Sequence, residues 1–325
     1  MKISEYFDTW SSFQLFLTPL LAGIIVAVLC GMLSVLVVLK RLAFVGQGVS
    51  HSAFGGIGLA AVISVYAAGS GLGAAMGQGS VGEFVIVVLF CVLCALGMAA
   101  VGDKRSTKSV QVDTGIGLFL VAAMAAGGLL VQYANTLARS RGVAEAQRSW
   151  ESILFGSVAT SSWADVWVSL GVLVVSVAVL WWFRRVVLFW TFDEGSAPAF
   201  GVPVLVARAV LMTLLAVATV TAMKICGVVL ATALLVLPGA IALRLSRVLG
   251  RVLVLAVCVA IAGVAGGLWV SIETDAQTGP CIVLLLSAVF VATMVQGRMG
   301  QGRMATRSIE GGAAGKMGNP GRAAR

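Results

Sequence analysis

Runs of about 20 apolar residues recur along most of the 325-residue chain, separated by short polar, basic or glycine-rich stretches. Runs of this length are typical of helices that cross a membrane. The pattern predicts an all-α polytopic membrane protein with about nine transmembrane helices, or eight if the short seventh run is re-entrant. The predicted spans are residues 15–39, 42–68, 83–101, 110–133, 164–183, 204–223, 228–243, 252–270 and 280–296.

Two segments outside these spans have a different pattern. Residues 1–14 place aromatic and aliphatic side chains on one stripe, which predicts an interfacial helix. Residues 297–325 are rich in Gly, Arg, Ala and Met and have no periodicity, which predicts a disordered basic cytoplasmic tail. The transmembrane domain is therefore expected over residues 15–296.

The basic residues indicate the orientation of the spans. The chain is 60% hydrophobic and only 11% charged, and its formal net charge is +9. The Lys and Arg residues are spread over loops instead of one soluble face, so we expect no nucleic-acid partner. Counted in alternate loops, 17 of the 22 fall on the side of Lys40. This excess predicts that the Lys40 side is cytoplasmic, with the N-terminus outside and the C-terminus inside.

The candidate chemistry centres on His51, the only histidine in the chain. It lies in the second span, within a segment that is rich in Gly and Ser, residues 40–58. Such a segment is tolerated at membrane depth only where it is buried in protein or lines a cavity. An ionisable residue there is a functional-site hypothesis by default. The alternative is a structural histidine that forms hydrogen bonds between helices.

Asp113 is the second candidate, because it is expected in the same cytoplasmic half of the membrane as His51. Imidazole suits zinc and several transition metals, and carboxylate also suits manganese and iron. With oxygens from Gln47 or Ser50, the pair would form a weak, transient metal site, as transport requires. For Asp113 the alternative is a helix cap or a salt bridge to Lys108.

Catalytic functions are disfavoured by the sequence. It contains neither an H-E-x-x-H zinc motif nor a Walker A motif. Ser50 and His51 are neighbours, and adjacent side chains on a helix do not face each other, which argues against a serine protease. A transport-like core without its own energy-coupling motif predicts that the chain is not an enzyme and that a separate ATPase drives it.

Several stretches, in order over about residues 15–296, resemble the zinc/manganese/iron-type ABC transporter permease family. They are KRLAFVGQGVSHSAFGGIGLA, VDTGIGLFLVAAMAAGGLL, ESILFGSVATSS, FDEGSAPAFGVPV, GVVLATALLVLPGAIALRLS and TGPCIVLLLS. His51 and Asp113 match the family's histidine and aspartate. The chain differs at Gln47, where many relatives have Asp.

The resemblance implies a multi-pass permease subunit in the cytoplasmic (inner) membrane of a bacterium, importing manganese, zinc or iron ions. An ABC ATPase would drive it and an extracytoplasmic metal-binding protein would load it. It would pair in the lipid bilayer as a homodimer or with a paralogous permease. No tightly bound cofactor is expected, because the divalent metal ion is the cargo. The loop expected to contact the ATPase contains Asp193, Glu194, Ala197 and Gly201.

Two alternatives remain open at this point. One is a permease of the same architecture that carries a metal chelate, such as cobalamin or a siderophore. The other is a membrane scaffold that does not transport.

Overall fold

The computed structural model describes residues 10–67, 80–101, 112–142 and 161–295, and all regular structure in these ranges is helical. Within these ranges, eight helices are long and apolar enough to cross a membrane. They are α1 (Trp10–Leu39), α2 (Ala43–Ala67), α3 (Val81–Val101), α4 (Val112–Arg141), α5 (Trp163–Phe192), α6 (Val204–Leu245), α7 (Leu249–Thr274) and α8 (Thr278–Val295). The prediction of an all-α polytopic membrane protein is confirmed.

Helix α6 is interrupted at Gly227. Its 42 residues would span about 63 Å as one straight helix, about twice the hydrocarbon thickness of a bilayer. Gly227 has φ 80° and ψ 166°, a conformation that is essentially restricted to glycine. It divides α6 into a first arm (204–226) and a second arm (228–245).

Contacts show that the two arms run in opposite directions. Arg208, in the first arm, donates to the carbonyl of Ala99 at the end of α3. Lys224, near the end of the same arm, forms an ion pair with Asp165 at the start of α5. Gly239, in the second arm, packs against Ser34, less than two turns before Lys40. Arg208 and Gly239 therefore lie at the end of the bundle where Lys40 is found, which we call the Lys40 end. Lys224 lies at the opposite end, which we call the Lys224 end.

Counting the two arms separately, the described part of the chain has nine membrane-length segments of alternating direction. Helices α7 and α8 are antiparallel, because Gly263 packs on Leu286 and Gly267 packs on Ile282. Arg244, at the end of the second arm, lies 5.3 Å from the Phe290 ring near the end of α8. The chain therefore enters α1 at the Lys224 end and leaves α8 at the Lys40 end.

Several helix ends differ from the predicted spans. Helix α5 continues to Phe192, well beyond Arg184 and Arg185, which the sequence pattern places at its end. The Arg184 guanidinium lies 5.3 Å from the centroid of the Trp181 ring on the same helix. This cation–π contact stabilises the charge on the helix surface, so the helix need not end at Arg184. Helix α1 begins at Trp10, so residues 10–14 of the predicted interfacial segment are continuous with it. Residues 1–9 and the predicted tail, 297–325, lie outside the described residues.

Helices α1, α2 and α6 form the interior of the bundle. Their apolar side chains build most of the core, and the largest fully buried ones include Leu29, Leu33, Leu211, Leu215, Leu230 and Leu234. Helices α3, α4 and α5 turn many apolar side chains outward, among them Leu89, Leu118 and Trp182. This distribution is expected for a bundle whose outer surface faces lipid.

Gly227→Ala is predicted to destabilise the bundle, because a Cβ is strained at this φ and ψ. Residues held in such a conformation cost about 1–3 kcal/mol. The expected result is a lower Tm of the detergent-solubilised protein. Gly171→Ala in α5 is the matched control, since an added Cβ there meets nothing within 4 Å and its backbone is helical. Equal Tm values for the two variants would contradict the prediction that residues other than glycine are strained at position 227.

Candidate functional site

Helix α2 is a regular α-helix held in close backbone contact with two neighbours. A Cβ added to Gly56 would lie 3.0 Å from Val87 Cα of α3. A Cβ added to Gly58 would lie 2.7 Å from the carbonyl oxygen of Gly127 in α4. The glycines of this segment therefore serve close helix packing. Most of the segment from Val45 to Gly58 is buried in protein, as its composition predicts for membrane depth.

Gln47 and His51 share one face of α2, because residues four apart lie above one another on a helix. Gln47 is exposed and His51 is half-buried. The imidazole stacks on Phe54, with ring centroids 6.0 Å apart and ring planes at 20°. Its Nδ1 atom is buried and has no hydrogen-bond partner among the described residues. An unsatisfied buried nitrogen calls for an explanation, and a ligand is one of the few available.

Ser50 lies on a different side of α2. It is fully buried, and its Oγ donates a hydrogen bond to the carbonyl of Gly46 at 2.8 Å. One residue along a helix is a rotation of about 100°. The structure therefore does not bring the Ser50 hydroxyl to the surface that Gln47 and His51 share.

Asp113 lies in the first turn of α4, although its side chain is outside the described part of the structure. Helices α2 and α4 run parallel, and a Cβ on Gly48 would lie 2.9 Å from Ile116 Cγ2. Measured along the helix axes at 1.5 Å of rise per residue, this register places the backbone of Asp113 about 3 Å from that of Gln47 and about 9 Å from that of His51. Gln47 therefore lies between the other two candidates in depth.

The surface formed by Gln47 and His51 on α2 offers few potential metal ligands. Among the described residues there is no group of three or more His, Cys, Asp or Glu side chains that could hold a metal ion. Gln47 and His51 offer one amide and one imidazole, to which the Asp113 carboxylate would add a third group.

The predicted ATPase-contact loop is a compact turn at the Lys40 end. The carboxylate of Asp193 accepts a hydrogen bond from the backbone N–H of Ser196 at 3.0 Å, which holds the Asp193 pKa below its usual range. At the other end of the turn, Val202 N–H donates to the Ala197 carbonyl, and Gly201 has φ 72°. This is the hydrogen-bond pattern of a helical turn closed by a left-handed glycine.

The turn is anchored on one side and exposed on the other. Ala197 is fully buried, whereas Pro198 is exposed and Phe200 is 73% exposed. The Phe200 ring packs edge-on against Phe189 of α5, with centroids 5.6 Å apart. The turn therefore presents an apolar side chain from a fixed base, which suits a protein contact.

Glu194 points towards the bundle and binds two cations. Its carboxylate forms ion pairs with Lys40 at 3.0 Å and Arg208 at 3.1 Å. Burial opposes ionisation of this carboxyl, but the hydrogen bonds and charges of the two cations outweigh that effect and hold its pKa below the usual range. Sequence reasoning assigned Glu194 to the loop and missed both partners. The only sequence signal for them was a basic residue, Arg208, inside an apolar run.

The arrangement of helices defines a polytopic membrane protein. Residues 12–297 match the ABC 3 transport family, to which the chain belongs.

The chain is similar to several curated proteins over most of its length. It is 32% identical to the manganese transport system membrane protein MntC of Halalkalibacterium halodurans, with 89% of each chain covered. It is 29% identical to the "Probable iron transport system membrane protein" of Haemophilus influenzae, covering 88% of this chain and 95% of that protein. It is 27% identical to the chelated iron transport system membrane protein YfeD of Yersinia pestis, covering 85% and 83%.

Among solved structures, PsaBC from Streptococcus pneumoniae in complex with Fab is similar in fold. The TM-score is 0.70 at 24% sequence identity, over 90% of this chain and 95% of that one.

Gly127→Ala is predicted to push α4 away from α2. A Cβ at this position would lie 2.5 Å from the Phe54 carbonyl oxygen, and overpacking of this kind costs about 1–3 kcal/mol. Gly128→Ala is the matched control, because a Cβ at the next position meets nothing within 4 Å. The measurement is the Tm of each purified variant. If Gly128→Ala lowered the Tm as much as Gly127→Ala does, the close contact between α2 and α4 at Gly127 would be contradicted.

Proposed function

We propose that the chain is the permease subunit of an ABC importer that carries divalent transition-metal ions across a bacterial cytoplasmic membrane. The observation that carries this proposal is the Gln47–His51 surface on α2, where Nδ1 of His51 is buried without a hydrogen-bond partner among the described residues. Membership in the ABC 3 transport family supports it. So do relatives named for manganese and iron transport.

The donor set lacks the thiolates that would select softer metals. An imidazole nitrogen, an amide oxygen and a carboxylate suit manganese, iron and zinc, and thiolates would select softer ions. Gln47 is neutral, so the site carries less negative charge than it would with Asp. Weak binding is consistent with transport, because an ion must leave the site as readily as it enters.

A separate ATPase is expected at the Lys40 end, where the turn carrying Phe200 is exposed. The excess of Lys and Arg at this end supports a cytoplasmic location for it. A metal-binding protein would load the permease from the Lys224 end. In this assembly the chain performs no chemistry of its own, and ATP is hydrolysed by its partner.

A second permease, identical or paralogous, is proposed to pack along α4. The side of α4 turned away from α2 carries Gly117 and Gly128, where an added Cβ meets nothing within 4 Å. Val121, between them in sequence, is 64% exposed. Small residues on a lipid-facing helix permit close approach of another helix.

Transport of an iron chelate is the second candidate, since YfeD of Yersinia pestis is named a chelated iron transport system protein. The two candidates differ in what they require of His51. A free ion needs the imidazole as a ligand, whereas a ligand-saturated chelate does not.

His51→Gln is predicted to lower metal uptake strongly while the protein still inserts and folds. Glutamine can donate and accept hydrogen bonds, but its amide is a poorer metal ligand than imidazole. The measurement is uptake of radioactive manganese into proteoliposomes that contain the permease, its ATPase and its binding protein. Ser52→Ala is the control, because Ser52 is buried on the same helix and its Oγ donates a hydrogen bond to the Gly48 carbonyl. Near-normal manganese uptake by His51→Gln would exclude a ligand role.

Gly201→Val is predicted to uncouple ATP hydrolysis from uptake. A valine is strained at φ 72°, so the turn that presents Phe200 would be distorted. The ratio of manganese taken up to ATP hydrolysed is the measured quantity. Gly250→Val is the control, since this exposed glycine at the same end has no positive φ and open space around it. A normal ratio in Gly201→Val would show that the shape of the turn is not needed for coupling.

A further inference from the structure

The carboxylate of Glu194 joins helix ends that are far apart in sequence. One oxygen binds Lys40 Nζ, just after α1, and the other binds Arg208 Nη2, in α6. The side chains of Lys40 and Arg208 are only 9% and 14% exposed, whereas that of Glu194 is 44% exposed. Glu194 itself follows the end of α5. Two nearly buried cations therefore share one anion from the loop.

Both cations have a second, fixed contact. Nη1 of Arg208 donates to the carbonyl of Ala99, in the last turn of α3, at 3.3 Å. Lys40 Nζ lies 3.9 Å from the centroid of the buried Trp190 ring in α5. The bundle thus fixes the positions of the Lys40 ammonium and the Arg208 guanidinium, and the Glu194 carboxylate is held between them. Through this carboxylate, the turn at residues 196–201 is tied to α1, α3 and α6.

The segment that links Lys40 to the Gln47–His51 surface on α2 is short and well defined. Only Lys40, Arg41 and Leu42 separate α1 from α2. Arg41 has φ 56°, and the backbone N–H of Leu42 donates to the Val37 carbonyl at 2.8 Å, which closes the turn. A displacement of Lys40 is therefore expected to move the start of α2. Gln47 lies little more than one turn beyond that start.

We propose that Glu194 is a positioning residue that transmits movement of the turn at residues 196–201 to α2 through Lys40. This inference rests on the proposed function as an ATP-driven importer, and it names the residue through which the ATPase would act on the metal surface. Glu194 performs this role without contacting either the ATPase or the metal. The contact with the ATPase is left to the exposed face of the turn, which includes Pro198 and Phe200.

Two other roles for Glu194 make different predictions. If it contacted the ATPase directly, removal of its charge would weaken the complex. If it only neutralised buried cations, removal of the charge would lower stability, and removal of Lys40 as well would restore both stability and transport. A positioning role requires that coupling be lost while the complex still forms, and that removal of Lys40 does not restore it.

The first test is Glu194→Gln in the complete complex of permease, ATPase and binding protein, reconstituted in proteoliposomes with manganese as the probe. The ATPase should copurify and hydrolyse ATP as before. The manganese taken up per ATP should fall about tenfold, within the range by which residues along a coupling network modulate it. Glu273→Gln, an exposed charge at the end of α7, is the control for loss of one carboxylate. Unchanged uptake per ATP, or loss of the ATPase from the complex, would overturn the proposal.

The second test separates positioning from charge neutralisation. The double variant Lys40→Met, Glu194→Gln removes one of the two cations along with the counter-charge that they share, and Arg208 keeps its hydrogen bond to the Ala99 carbonyl. Its Tm should recover in part relative to Glu194→Gln, and its uptake per ATP should remain low. Recovery of both quantities would show that Glu194 serves only as a counter-charge.

The third test needs no metal, so it is independent of the proposed cargo. Hydrogen–deuterium exchange of the wild-type complex should change at residues 40–51 and at 193–202 when nucleotide is added. In Glu194→Gln the change at 193–202 should persist and the change at 40–51 should disappear. A nucleotide response that persists at residues 40–51 would overturn the proposal. A wild-type complex that shows both changes but takes up no manganese would instead contradict the proposed function.

Discussion

The close backbone contact between α2 and its neighbours is the constraint on which the arrangement depends. Gly58 and Gly127 bring α2 and α4 within the distance that one added carbon would occupy. Gly56 does the same between α2 and α3. In a bilayer there is little hydrophobic force between helices, so association relies on close packing of this kind. The positions of Gln47, His51 and Asp113 relative to one another follow from this register.

This register separates polar side chains that are adjacent in sequence. Gln47 and His51 occupy a face of α2 that is at least partly accessible, whereas Ser50 and Ser52 are buried and use their hydroxyls within the helix. A hydroxyl bonded to the carbonyl of the preceding turn allows a polar residue to be buried at low cost. Small polar residues in such a helix can therefore serve packing, and only the orientation of each side chain distinguishes packing from binding.

The sequence predicts the number and approximate bounds of the spans, because hydropathy is a local signal that reports the length of each apolar run. The predicted ends of α4 and α5, at 133 and 183, are too early, since these helices continue to Arg141 and Phe192. The register of α2 against α4 was not predictable in the same way, since it depends on helix rotation and tilt. The same holds for Glu194, whose partner Lys40 is 154 positions away. The count of nine segments was predicted, although the reversal at Gly227 joins two of them without a loop.

The described part of the chain begins and ends at opposite ends of the bundle, which has a consequence for how such permeases can evolve. Its described segments cross the bundle an odd number of times, so a direct tandem duplication of this arrangement would insert the second copy upside down. Two copies in the same orientation can be joined only if an extra membrane crossing is gained between them. Paired permeases of this architecture are therefore expected to persist as separate polypeptides, and divergence into two distinct subunits requires two genes.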